Sequence, residues 1–295
     1  MVWSFVQGGC PPDDNLPYTP FRPYFHYGNN SPQTCWAWAS CVLEAADESR
    51  KQQFGATALV MGLIPVTLKD IAWPERRMVP VSRPLPLLAS ILVLALGLVP
   101  AEPQKTENPS EEVKRRLMKG NWIARKLWGH GRWLTAFWII ISSLLLVGAY
   151  AGLTVMEIYS KRSALGCLVP LFVALWYIAA LVPATIHTLC AKLRRHREMR
   201  QQEKGRDISA DTGEKVSAIQ GANEDWPVQL SWAIYYIAGT LIWTSIMAVT
   251  VVELTVWVAL GVTVSAISKI LAFLICLAFE ITRNKRIGTS DVMAK

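Results

Sequence analysis

Between Trp133 and Met156 the chain runs for 24 residues without one Asp, Glu, Lys or Arg, and a stretch of that length has few ways to fold. About 20 apolar residues in a helix cover a hydrocarbon layer roughly 30 Å thick, so such a run is the signature of a membrane span. Ser163 to Ala191 (29 residues) and Trp226 to Val252 (27 residues) repeat it. A fourth run, Leu254 to Phe279, is broken only by Lys269, and Pro84 to Ala101 adds 18 residues that include ILVLALGLV. The last, Gln52 to Leu68, is followed at once by Lys69 and Asp70 and reads either as a short span or as a re-entrant element. The expected fold class is all-α: a polytopic transmembrane helix bundle with five or six hydrophobic spans and an irregular N-terminal cap. Composition agrees, with 52% hydrophobic and 18% charged residues and a mean hydropathy of +0.26. A soluble domain carries about a quarter charged residues, so a water-soluble enzyme, a disordered chain and a coiled coil are disfavoured together.

Lys and Arg near span ends stay in the cytoplasm because translocating them is unfavourable. The segment 102–132 carries Lys105, Lys114, Arg115, Arg116, Lys119, Arg125, Lys126 and Arg132, and the segment after Ala191 is as basic. Both should face the cytoplasm, and so should the C-terminal tail, whichever of the plasma membrane or an endomembrane holds the protein. The organisation expected is a cap and interfacial helix (1–53), two hydrophobic segments (54–101), a basic amphipathic loop (102–132), a two-span hairpin (133–191), a polar, partly disordered loop (192–225), a second hairpin (226–281) and a tail (282–295).

The N-terminal side depends on Gln52 to Leu68. Six crossings place both termini in the cytoplasm; five leave the N-terminus outside. An outside N-terminus suits a disulfide among Cys10, Cys35 and Cys41 and glycosylation at Asn29, which Pro32 weakens. A cytosolic one suits three reduced thiols, and three cysteines cannot all pair internally. Residues 1–16 have neither a charged start nor an apolar core, so no cleaved leader is expected.

From Cys35 the sequence CWAWASCVLEAADESRKQQF turns helical, with Trp38, Val42, Ala45 and Ala46 opposite Glu44, Asp47, Glu48 and Lys51. The stretch Ala39-Ser40-Cys41, then Glu48, Lys51, Gly62-Leu63-Ile64-Pro65 and Leu68, resembles a block in uncharacterised multi-pass membrane proteins of filamentous fungi, with Val66 where that block often has Thr. The resemblance covers about 40 residues. It implies a membrane family and a fungal source and supplies no catalytic residue.

In the basic loop, Ser110 is a candidate N-cap, Glu111 and Glu112 complement the helix dipole, and Val113, Leu117, Met118, Ile123, Leu127 and Trp128 form an apolar stripe. Such a helix can lie on anionic inner-leaflet lipids, which with the bilayer itself are the expected partners. Nucleic acid is the rival partner for a net charge of +8, but the cations sit beside spans and the topology rule accounts for them, so none is expected.

An ionisable residue at bilayer depth is costly, which singles out Lys269 with its neighbours Ser265 and Ser268. It stands roughly 16 Å along a helix from Glu280 and about 24 Å from Glu253, so its partner must come from another helix. Two roles remain open: a relay in a substrate path, or a lysine bonded to carbonyls. Glu157 and Glu253 end outward-going spans and either ring a pore mouth or terminate helices. His187, with no second ligand at metal spacing, reads as an interface residue. Gly148 and Gly152 form a GxxxG pair that implies close packing, within the bundle or in a homodimer or with a membrane partner. Pro170 and Pro183 should kink their span. Trp73, Trp128, Trp133, Trp226 and Trp232 read as interface anchors.

No phosphate loop, nucleophile elbow, HExxH or paired CxxC motif is present, and no metal or other cofactor is expected. The function expected is that of a non-catalytic multi-pass membrane protein acting through membrane or protein interaction. The alternatives are a small transporter or channel subunit using Lys269, and a membrane-embedded enzyme in which Glu157, Glu253 or His187 converge.

Overall fold

The computed structural model describes residues 44, 46–71, 78–101, 109–119, 122–130, 132–159, 171–203, 225–246 and 249–293. Mostly helical, they form α1 (Glu48–Ile71), β1 (Met78–Pro80), α2 (Leu87–Ala95), β2 (Val99–Ala101), α3 (Pro109–Met118), α4 (Trp122–His130), α5 (Arg132–Tyr159), α6 (Phe172–Ala179), α7 (Leu181–Glu203), α8 (Trp226–Thr244) and α9 (Val251–Met293). The expected N-terminal cap, with Cys10, Asn29, Cys35 and Cys41, lies outside the described residues, as do Trp73 and Pro170.

Among the described residues, three helical stretches are long and apolar enough to cross a membrane: Arg132–Ile158, Phe172–Arg197 and Val251–Asn284. The chain is a membrane-associated helical protein. In α5 the buried positions include Thr135, Ser142, Ala149 and Leu153, whereas Trp133, Phe137, Ile140, Leu144, Val147 and Val155 are exposed. The outward side is thus bulkier and more apolar than the inward one. That reverses the pattern of a water-facing helix and suits one surrounded by lipid.

One expected span takes another form, and a second run gives a helix shorter than itself. The run Pro84 to Ala101 forms only the nine-residue α2, about 14 Å long, followed by a turn and β2. Gly97 explains the stop. Its φ of +94° is a glycine conformation, its N–H donates to the Leu94 carbonyl at 3.0 Å, and the Leu98 N–H donates to Val93 at 3.1 Å. These bonds make a Schellman turn, and Val93 and Leu98 share one core. The second run, Trp226 to Val252, is helical only to Thr244. Gln229, Tyr235, Tyr236 and Thr240 keep α8 less apolar than the three membrane-length stretches.

A break separates α6 from α7 at Ala180, three residues before Pro183. Pro183 has no N–H for the carbonyl four residues back and its ring crowds that carbonyl. The helix is interrupted where the sequence predicts a kink.

The chain divides into two compact units, one formed by residues up to Ile71 with Val147–Ile178 and Ile234–Val264, the other by Ala72–Leu146, Ala179–Ala233 and Ser265–Lys295. In the first, α1 buries Phe54, Thr57, Met61, Ile64 and Leu68, a three-four spacing that forms one helical stripe. Met61, Ile64 and Leu68 pack with Leu153, Met156, Val173, Trp176, Trp243 and Trp257. Side chains press onto the helix backbone at Gly62, where any Cβ would overlap the Thr244 side chain, and at Gly239, where a Cβ would lie 2.5 Å from the Trp176 indole. Trp176 also stacks on Tyr235 at 5.0 Å and donates its indole N–H to the Tyr235 carbonyl at 3.0 Å.

The second unit holds a small β-α-β element: β1 and β2 pair in parallel with Met78 opposite Val99, and α2 makes the crossover. Its core joins Val79, Val81, Val93 and Leu98 to Val113 and Leu117 of α3, Leu127 of α4, and Ala272, Leu274 and Leu277 of α9.

Candidate functional site

Among the described residues, three carboxylates are almost wholly buried: Glu157, Glu253 and Glu280, at 4%, 0% and 2% exposure. A charge in such a place needs hydrogen bonds, and each finds them on backbone amides. Glu157, near the end of α5, accepts from the Val173 N–H at 3.0 Å and the Ala174 N–H at 3.3 Å. Those amides open α6, where the helix leaves donors without intrahelical partners and carries positive partial charge.

Glu253 serves its own helix. Thr250 donates to it through its N–H at 2.8 Å and its hydroxyl at 2.9 Å, and the Glu253 N–H lies 3.3 Å from Thr250 Oγ1. This is a capping box, spelled Thr250-Val251-Val252-Glu253. Glu157 thus lies at the end of α5, as expected, whereas Glu253 lies in the first turn of α9 rather than at the end of the preceding span.

Glu280, which the sequence did not single out, accepts from the Ser82 N–H at 3.0 Å and the Ser82 hydroxyl at 2.7 Å. Arg283 lies 3.3 Å from the same carboxylate and donates to the carbonyls of Arg83 and Pro84 at 2.7 and 2.8 Å. The pair therefore holds the chain just after β1 against α9. The 198-residue separation left no local signal for it.

Lys269 is half-buried, and its methylene stem packs at the turn that ends α2: a Cβ at Gly97 would lie 3.6 Å from Lys269 Cε. The last carbonyls of a helix concentrate negative partial charge, so a cation reaching that end is favoured. Of the neighbouring serines, Ser268 donates to the Ser265 carbonyl at 3.0 Å, which spends its hydroxyl within its own helix. His187 is half-buried on α7, one turn beyond Pro183. Among the described residues no three His, Cys, Asp or Glu side chains gather as a metal site.

Among the described residues, the GxxxG pair meets no second backbone. Gly152 meets Leu260 at 3.5 Å, but a side chain at Gly148 would meet open space.

Around α3 and α4 the expected apolar stripe divides. Val113, Leu117 and Leu127 are buried in the second unit's core and Trp128 packs against it, so they are not offered to lipid. What α4 and the start of α5 expose is Trp122 at 65% and Trp133 at 90%, with Arg125, Lys126 and Arg132 exposed beside them in sequence. Trp122 escaped the sequence reading, although its place before Arg125 and Lys126 was a signal. Trp133 and Trp226 are exposed, whereas Trp232 is buried.

No protein-family model matches the chain, and neither a curated protein nor a solved structure matches it.

Proposed function

We propose that this chain is a multi-pass integral membrane protein whose intramembrane polar groups serve its own architecture, and that it acts through the surfaces it presents rather than through a reaction. The observation that carries this reading is the use of Glu157, Glu253 and Glu280: each directs its oxygens at backbone amides that begin a helix or a turn. A carboxylate spent in this way supports a helix start and is poorly placed to relay a proton or an ion. Lys269, whose methylene stem packs at the turn that ends α2, stands where a cation would be favoured by that helix end.

In this reading α1 leads the first of five crossings, followed by α5, α6 with α7, α8 and α9. The N-terminus then lies outside, and the basic segments and the C-terminal tail lie in the cytoplasm. Lys269→Leu tests the functional half. Expressed in place of the native chain, it should insert, fold and restore whatever phenotype removal of the protein causes. A Lys269→Leu protein that inserts and folds yet fails to restore it would favour a transporter instead.

A further inference from the structure

The division of cations between two tasks on α3 and α4 singles out a docking surface. Arg116 is paired with Glu112 at 2.5 Å, and the Lys114 ammonium stands 5.8 Å from the centre of the Trp128 ring. These two serve the fold. Arg115, Lys119, Arg125 and Arg132 are exposed, and among the described residues none of the four makes an ion pair. Their helices have already turned Val113, Leu117, Ala124 and Leu127 inward. Exposed with the cations are two indoles, Trp122 and Trp133, and the half-exposed Ile123.

Position decides what this surface meets. Arg132 and Trp133 open the first membrane-length apolar stretch, and α4 ends at His130, two residues earlier. Two Cα steps reach about 7 Å, so the end of α4 is held within a headgroup's breadth of the place where the chain enters hydrocarbon, and the nine-residue helix can reach no more than about 14 Å beyond it. Indoles settle at that depth and cations there face lipid phosphates. We infer that α4, with the end of α3 and the start of α5, docks on the anionic lipid surface of the leaflet in which the chain is anchored, Trp122 and Trp133 seated among the headgroups and Arg115, Lys119, Arg125 and Arg132 meeting their negative charge. This rests on the membrane-spanning reading above and adds the chemistry of one partner.

The test uses the full chain in lipid nanodiscs of phosphatidylcholine alone or mixed with phosphatidylserine, with amide hydrogen exchange followed across Trp122–His130. Phosphatidylserine should slow that exchange by roughly tenfold, and raised salt should reverse the effect. The effect should disappear in R125Q/R132Q and shrink in W122S, both exposed substitutions whose folding circular dichroism verifies. Equal exchange in the two lipid mixtures, or slowing that survives R125Q/R132Q, overturns the proposal. So does protection conferred by added RNA but not by phosphatidylserine. A chain that enters both nanodiscs but shows no lipid preference sinks the docking surface alone; a chain that enters neither sinks the membrane-spanning reading as well.

Discussion

The Glu157 carboxylate lies 3.0 Å from the Val173 amide, so the end of one helix supplies the N-terminal cap of the next. A hydrogen bond to a charged group contributes about 1.5–3 kcal/mol, and a buried amide left without a partner costs about 1–3 kcal/mol. Glu157→Gln keeps one acceptor oxygen but aims an amide NH2, itself a donor, at the second donor, and should cost about 1–3 kcal/mol in equilibrium unfolding in mixed micelles. Glu157→Leu, which strands both amides, should cost more. Equal stability of Gln, Leu and native chains would show that the cap contributes nothing.

Close approach makes Gly239 intolerant of a side chain while Gly148 tolerates one. Gly239→Ala drives a methyl into the Trp176 indole, an overpacking cost of about 1–3 kcal/mol. Gly148→Ala should change stability by no more than about 0.5 kcal/mol, because open space lies beyond it. Melting both variants beside the native chain checks the contrast, and a reversed order would contradict the packing of α8 on α6.

At Gly97 the cost has another origin. A Cβ there would meet Lys269 only at ordinary van der Waals distance, but the φ of +94° disfavours any L side chain. Gly97→Ala should therefore destabilise by about 1–2 kcal/mol without a clash. Lys269→Met, which keeps the stem and removes the charge, should change stability by less than about 1 kcal/mol. A loss of several kcal/mol in Lys269→Met would mean that the ammonium holds far more than a helix end.

Much of this fold could be read from residue order because its causes are local. Uncharged length marks α5 and α9, Pro183 marks the break before α7, and Thr250 with Glu253 three residues on is a capping signature that periodicity alone overlooks. Gly97 likewise signals a helix end inside an apolar run that hydropathy scores as a span. The rest depends on distant partners. Nothing near Glu280 announces Ser82, nothing near Glu157 announces Val173, and Val113 and Leu117 face a core rather than lipid because α9 lies beside them. Hydropathy also cannot mark where a helix stops, so the apolar run Trp226 to Val252 does not announce that α8 ends at Thr244.

Ser82 and Glu280 offer a direct measure of one such distant pair. In a double-mutant cycle, Ser82→Ala and Glu280→Gln should each destabilise, and the combined variant should lose less than their sum. The coupling expected for a buried charged hydrogen bond is about 0.5–3 kcal/mol. Strict additivity would show that the serine and the carboxylate do not act on one another.

The central claim is that the large apolar side chains on the outside of α5 face hydrocarbon. A photoactivated carbene carried on a lipid tail reacts only with what the tails touch, and mass spectrometry locates the adducts. In native membranes the modified residues should include Phe137, Ile140 and Leu144, while Thr135 and Ser142 on the opposite side stay unmodified. An α5 without adducts, or one modified most at Thr135 and Ser142, would contradict the account.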